Sequence, residues 1–143
     1  DYAVRVVLAL AIDVTGQRVS SATIQEKMLI PQSYMPRIVA QLANSGIIRT
    51  FSGRDGGLQL AHPAEKVTLR DVVEAFEGPI LISDCLKAKG EDDCPFQTNC
   101  QVRPKWGRVQ LAMLKEMETI TFYELAKEVL HDSFQNVILN VLA

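Results

Sequence analysis

The sequence has few of the features that mark enzymes or membrane proteins. Its 143 residues include only two histidines, and no Ser–His–Asp set, phosphate-binding glycine loop or close carboxylate pair indicates catalysis. The longest apolar run, Val6 to Ile12, is far shorter than a membrane span, and no basic lead-in with a cleavage site marks a signal peptide. We therefore expect a cytoplasmic protein that is not an enzyme and has neither a membrane partner nor a small-molecule substrate.

The charge of the chain is close to balanced overall but is unevenly distributed. The formal net charge is −2. Residues 1–70 carry eight Lys or Arg against five Asp or Glu, whereas residues 71–143 carry seven against twelve. A basic front half on an acidic protein favours a polyanionic partner for that half. Ordinary surface charge is the alternative interpretation.

The first half of the chain is predicted to contain three helices. Apolar residues at helical spacing from Val4 to Ile12 indicate an amphipathic helix. Ser20 or Ser21 can cap a short helix that reaches about Met28. A third helix is predicted from Ser33, with a proline in its first turn, where the backbone N–H groups have no intrahelical partner. The second and third helices, joined by a tight turn, form a helix-turn-helix candidate.

A β-hairpin is predicted directly after the third helix. Residues 47–51 and 58–60 favour strands, and the six residues between them, 52–57, are rich in glycine, which tolerates positive φ. A helix-turn-helix followed by a hairpin predicts a mainly α protein with a winged helix. Thr68 and Asp71 are spaced as in a capping box, which predicts another helix after the hairpin.

The face of the third helix opposite its apolar stripe is polar, as in proteins that read the major groove of DNA. Arginine and glutamine on such a face can make bidentate contacts to guanine and adenine, and an arginine at the hairpin tip suits phosphate or minor-groove contact. A solvated face on a small helical bundle is the alternative. The predicted DNA-contacting residues are Ser33, Tyr34, Pro36, Arg37, Gln41 and Arg54.

Three cysteines, Cys85, Cys94 and Cys100, follow in a C-x8-C-x5-C pattern. An odd count in a reducing compartment argues against a disulfide framework. Three thiolates on an irregular loop can ligate an iron–sulfur cluster, which normally takes four protein ligands. Zinc is the next candidate, although the paired C-x2-C spacing of most structural zinc sites is missing. Three unrelated thiols remain the plain alternative.

A long helix is predicted from Lys105, and a capping box at Thr121 predicts a further helix that extends to about Val129. The long helix carries an apolar stripe at roughly heptad spacing, which is too long for one small core to cover and therefore predicts a homodimer. The predicted interface residues are Trp106, Val109, Met113, Met117 and Ile120.

In combination, these features resemble the Rrf2 (Rrf-two) family of bacterial transcription regulators from Asp1 to about Val129. The resemblance rests on the opening at residues 1–5, the wing at 53–57, Pro63–Ala64, the helix at 69–73 and the three-cysteine loop. It implies a winged-helix homodimer that crosses its long helices and binds a pseudo-palindromic operator on double-stranded DNA. The implied divisions are a DNA-binding domain (1–78), a cluster-binding loop (79–104) and a dimerisation helix with a helical tail (105–143).

The resemblance also implies a cofactor, because family members with all three cysteines carry iron–sulfur clusters. The cysteine spacing is most similar to the iron-responsive regulators of rhizobia (RirA). The iron–sulfur cluster regulators (IscR) use a histidine where this chain has Arg103. The nitric-oxide-sensing repressors (NsrR) use an N-terminal aspartate from the partner subunit, and Asp1 stands at the matching place. This favours a 4Fe–4S over a 2Fe–2S cluster, held by the three cysteines and the partner's Asp1.

The implied function is a transcriptional repressor that senses iron, cluster supply, nitric oxide or redox state. One departure affects the wing, because many family members have an arginine where this chain has Ser52, so wing insertion rests on Arg54. Two alternatives remain open. One is a metal-free winged-helix regulator whose thiols form a redox switch, and the other is a small iron–sulfur or zinc protein that does not bind DNA.

Overall fold

The structure is a computed structural model that describes residues 1–13, 17–87, 94–96 and 99–142, with side chains described as far as residue 132. The described part is mainly helical, with one two-stranded antiparallel sheet. Its helices and strands are α1 (Tyr2–Ile12), α2 (Ser21–Met28), α3 (Met35–Asn44), β1 (Ile48–Phe51), β2 (Gly57–Leu60), α4 (Leu69–Glu77), α5 (Arg103–Thr119) and α6 (Phe122–Leu142). The predicted winged-helix fold class is confirmed. No helix of the described residues is long and apolar enough to cross a membrane.

Helix α1 lies at the centre of the hydrophobic core. Its Val6 and Val7 are fully buried, and they share one cluster with Ile24 of α2 and Leu42 of α3. The four side chains meet because each helix turns its apolar stripe inward, as the helical periodicity of the sequence requires. This core fixes the mutual arrangement of the two helices of the helix-turn-helix.

The turn between α2 and α3 is tight and strained at one residue. Ser20 caps α2, its Oγ accepting from the Thr23 N–H at 3.1 Å. The helix ends at Met28, and the next residue, Leu29, is a non-glycine residue in the left-handed region with φ 51° and ψ 48°. Helix α3 begins at Met35, two residues later than predicted, and Pro36 lies in its first turn as expected.

The predicted hairpin is present, with Ile48 opposite Leu60 and Phe51 opposite Gly57. The chain before α2 adds a single antiparallel bridge to β2 that the sequence does not reveal. There, the Val19 N–H donates to the Leu58 carbonyl at 2.9 Å, and the Leu58 N–H donates to the Val19 carbonyl at 2.8 Å. The outer edge of β2 is therefore tied to the segment that leads into the helix-turn-helix.

The chain returns to the winged-helix core after α5. The Leu69 N–H donates to the Ile120 carbonyl and the Phe122 N–H donates to the Val67 carbonyl, both at 2.9 Å. Phe122 is fully buried among the residues that surround α1. The start of α6 thus completes the core of the DNA-binding domain, although it falls within the predicted 105–143 unit. The division of the chain into domains stays a prediction.

Two expectations about the second half of the chain differ from the structure. Helix α5 begins at Arg103 and ends at Thr119, so Ile120 lies beyond the helix, half-buried, with its carbonyl bonded to α4. Its place in the dimer interface stays a prediction, and the chain bends at this residue to return to the core. Helix α6 runs through Leu142 and does not stop near Val129. Residues 88–93 and 97–98 of the predicted loop lie outside the described residues.

Candidate nucleic-acid interface and cysteine loop

Helix α3 exposes the polar face that the sequence predicts for DNA contact. Its stripe of Met35, Ile38 and Leu42 is buried in the core, which turns the opposite face outward. Ser33, Tyr34, Pro36 and Arg37 are all exposed at or before its first turn. Tyr34 is 54% exposed, and its ring lies 5.4 Å from the Tyr2 ring, centroid to centroid. The first turn of α3 is therefore accessible and is braced from behind by α1.

Gln41 does not share this accessibility, which corrects the prediction that it is available to a base edge. It is half-buried, and its Nε2 donates to the Ala75 carbonyl at 2.9 Å and to the Phe76 carbonyl at 3.5 Å. These carbonyls belong to the last turn of α4, where they have no intrahelical partner. Gln41 thus caps α4 and joins it to α3.

The wing presents one arginine at its tip. Arg54 is exposed in the loop between β1 and β2, and Gly53 beside it adopts φ +95°. The turn is closed by the Gly56 N–H, which donates to the Gly53 carbonyl at 3.0 Å. A positively charged side chain on a short, closed loop is positioned to meet a phosphate or a narrow minor groove.

Asp1 lies beside the recognition helix and is reachable from outside the subunit. Its carboxylate accepts a hydrogen bond from the Arg5 guanidinium at 2.9 Å, and the Asp1 side chain is 75% exposed. The residue borders a cavity of about 250 Å³ whose wall also includes Tyr34, just before α3, and Arg37 of α3. A group bound at Asp1 would therefore lie close to the predicted DNA contacts.

The three cysteines lie on the loop between α4 and α5, and all are half-buried and outside any disulfide. Cys85 has the Ser83 hydroxyl 3.1 Å from its Sγ. The Sγ of Cys100 accepts from the Arg103 backbone N–H at 3.3 Å. Within the described ranges, no three side chains of His, Cys, Asp or Glu come together to hold a metal ion. The predicted ligands thus share a loop, but Cys85, Cys94 and Cys100 are not assembled in this single chain.

A buried glutamine on α5 is hydrogen-bonded to the backbone of the segment that leads to Cys85. Gln110 is 8% exposed; its Nε2 donates to the Ile80 carbonyl, and its Oε1 accepts from the Ile82 N–H at 2.9 Å. Farther along, the Arg103 guanidinium donates to the Lys87 carbonyl at 3.3 Å. Sequence reasoning missed Gln110; the only signal is a polar residue within the apolar stripes of α5. The chain on both sides of Cys85 is therefore attached to α5.

Ion pairs add to these attachments. Arg70 of α4 donates to Glu118 of α5 at 3.0 Å and to Glu74 at 3.1 Å; the hydrogen bond to Glu74 is the main reason that the pKa of Arg70 is raised. A hydrogen bond from Lys87 lowers the pKa of the Asp84 carboxyl. All of these groups are partly or fully solvent-exposed, so their role is alignment more than stability.

Part of the predicted dimer stripe on α5 is open to solvent. Trp106 is 41% exposed and Val109 is 53% exposed, whereas Met113 and Met117 are half-buried. Large apolar side chains exposed along one helix face are typical of a surface that another chain covers.

A helix-turn-helix whose second helix exposes a polar face, followed by a hairpin wing, defines a winged-helix DNA-binding regulator. Residues 1–128 match the Rrf2 family, described as an iron-dependent transcriptional regulator, and the chain belongs to this family. Rrf2 proteins are transcriptional regulators that bind DNA and are typically dimeric, and they are not enzymes.

Relatives cover almost the whole chain. A putative HTH-type transcriptional regulator of Haemophilus influenzae is 30% identical over 97% of this chain and 94% of its own length. The crystal structure of Staphylococcus aureus CymR is 28% identical, with a TM-score of 0.63 over 87% of this chain and 92% of that one; CymR has also been solved in an oxidised form. T. potens IscR, 20% identical, shares the fold with a TM-score of 0.70 over 90% of this chain and 82% of its own.

Proposed function

We propose that this Rrf2-family regulator is a cytoplasmic repressor that binds a pseudo-palindromic operator as a homodimer and responds to an iron–sulfur cluster. The observation that carries the DNA-binding part is the exposed first turn of α3, with Arg37 at its surface, close in sequence to a wing that exposes Arg54. Two such units must lie about 34 Å apart, one DNA turn, to engage both half-sites.

Arg37 and Arg54 are assigned different DNA contacts. Because Arg37 lies on the recognition face with Ser33, Tyr34 and Pro36, Arg37→Ala should cost about 1–3 kcal/mol and relax base preference. Arg54→Ala should weaken binding evenly across sequences and lower the salt slope by about one. Arg108→Ala, an exposed arginine on α5, is the matched control. Equal losses on operator and random DNA for Arg37→Ala and Arg54→Ala would reject the assignment.

The homodimer is assigned to the exposed stripe of α5, with Trp106, Val109, Met113 and Met117. Val109→Glu places a charge in this stripe and should give monomers in sedimentation at micromolar concentration, with loss of operator binding. Leu111→Glu is the matched control, since Leu111 is 69% exposed and lies about 200° farther around the helix axis. A dimeric Val109→Glu variant, or a monomeric wild type, would overturn the assignment.

The cluster is assigned to Cys85, Cys94 and Cys100, with the partner's Asp1 as the fourth ligand of a 4Fe–4S centre. The donor chemistry fits, because three half-buried thiols lie on one loop and an N–H already points at the Sγ of Cys100, the kind of hydrogen bond that cluster sulfurs accept. A bound cluster would supply iron–sulfur chemistry that responds to iron, oxidants or nitric oxide. Ligation by Asp1 would place the cluster close to Tyr34 and Arg37, which line the same cavity as Asp1. A change in the cluster could then act on the predicted DNA contacts.

Anaerobic purification with iron and sulfide quantitation tests the cluster. Each Cys→Ser change should abolish the visible cluster absorbance. Asp1→Ala should leave a more labile cluster, since carboxylate is a weaker ligand for iron than thiolate. Full iron and sulfide in all three serine variants would disprove the thiol ligation, and an unchanged Asp1→Ala protein would move the fourth ligand elsewhere.

A metal-free thiol switch is the second candidate. Its support is that S. aureus CymR, a relative at 28% identity, has also been solved in an oxidised form. In this case, anaerobic protein would lack iron and sulfide, and mild oxidation alone would change operator binding. Iron and sulfide in stoichiometric amounts exclude this alternative.

A further inference from the structure

Arg18, for which the sequence pattern predicts no role, reaches from the chain before α2 to the wing. Its guanidinium carbon lies 3.8 Å from the centroid of the Phe51 ring, at the end of β1. Its Nη1 also donates to the Asp55 carbonyl in the wing loop at 3.2 Å. One side chain therefore contacts both a strand of the wing and its tip.

The backbone at Arg18 and Val19 lies very close to β2 of the wing. The next residue, Val19, exchanges two hydrogen bonds with Leu58 of β2. At Gly57, where φ is +157°, an added Cβ would lie 2.9 Å from the Val19 carbonyl oxygen and 3.1 Å from the Arg18 Cβ. Only glycine leaves room for the Arg18–Val19 segment to cross the wing at this point.

We infer that Arg18 is a positioning residue for DNA binding: it holds the wing in the orientation from which Arg54 reaches DNA. The inference rests on the proposed function of Arg54. The loop between β1 and β2 is exposed on most of its surface, and Arg18 joins it to the segment that enters the helix-turn-helix. A guanidinium stacked on an aromatic ring and bonded to a carbonyl restricts both partners at once.

The test uses the full-length protein and a duplex of about 30 bp, which covers two half-sites, selected from a random pool by the wild type. Arg18→Ala should weaken binding about five- to 60-fold, the range expected when one exposed cation–π contact and one hydrogen bond are lost. Arg18→Ala should have no further effect in an Arg54→Ala background, since the wing then has no contact to position. Phe51→Leu, which removes the ring partner, should reproduce Arg18→Ala, whereas the surface variant Arg108→Ala should not.

Hydrogen exchange in the free protein provides a readout that does not depend on DNA. The Gly56 and Leu58 amides should exchange faster in Arg18→Ala than in wild type, while the thermal midpoint stays within a few degrees. Additive losses with Arg54→Ala, together with a further drop of about one in the salt slope, would mean that Arg18 touches phosphate itself and would overturn the inference. Unchanged binding and exchange would also overturn it. A wild type that selects no duplex would refute the proposed function, and the exchange rates would still decide whether Arg18 holds the wing.

Discussion

Gln110 offers the sharpest test of how α5 controls the cysteine loop. Gln110→Leu keeps the side-chain volume but leaves the Ile82 N–H and the Ile80 carbonyl without the partners that they have now. Losing two partly buried hydrogen bonds should cost about 1–3 kcal/mol. Because the two backbone groups lie three and five residues before Cys85, we expect this free energy to appear as local opening of the segment that carries Cys85.

The assay is the alkylation rate of Cys85 as the only cysteine, in a Cys94→Ser, Cys100→Ser background. If the thiol reacts through local opening, a cost of 1–3 kcal/mol raises the rate between about fivefold and about 150-fold. The Ile82 amide should exchange with solvent faster by the same factor. Arg108→Leu, on the exposed side of the same helix, serves as the control.

Equal alkylation rates in Gln110→Leu and Arg108→Leu would refute this reasoning, because they would mean that the amide holds no part of the loop. Faster alkylation with unchanged exchange at Ile82 would also contradict it, since the opening would then lie elsewhere. In the cluster-bearing protein, the same substitution should speed cluster loss, which optical decay measures.

Three further predictions concern the winged-helix core. Phe122→Ala should destabilise the protein by about 3–5 kcal/mol in urea unfolding because Phe122 is fully buried. If its loss of unfolding free energy were as small as that of Trp106→Ala, measured in the monomeric protein, α6 would lie outside the core. Leu29→Gly should raise the free energy of unfolding by about 0.5–1 kcal/mol, since it relieves a left-handed leucine that is 80% exposed; a lower thermal midpoint would contradict this. Thr68→Ala should cost about 1 kcal/mol, because its Oγ1 accepts from the Asp71 N–H at 3.2 Å, and an unchanged urea midpoint would argue against the cap.

Several elements could be predicted from the sequence because their signals are local. The capping box at Thr68 and Asp71 is present with both hydrogen bonds, since its two partners lie within one helical turn. Pro36 is in the first turn of α3, where proline replaces an N–H that has no helical partner. The wing strands begin and end within one residue of the predicted bounds. The exposed face of Arg37 follows from helical periodicity alone.

Pairings between residues far apart in the chain could not be predicted. Gln41 has a side chain that can read a base edge, yet it donates a hydrogen bond to a carbonyl of α4, 34 residues away. Gln110 and Arg18 bond to backbone groups 28 and 37 residues away. Nothing in their immediate neighbours indicates these partners, because a side-chain amide or guanidinium finds its carbonyl only after the helices have packed.

By itself, the sequence determined the helix-turn-helix, the wing, the polar recognition face and the thiol-bearing loop, because periodicity, caps and turn residues act over a few positions. The tertiary structure decided which polar groups are free for DNA and which are already bonded. It also decided that the chain bends at Ile120 so that Phe122 can fill the core around α1. The physical reason is that burial and long-range hydrogen bonding depend on the arrangement of all the helices together.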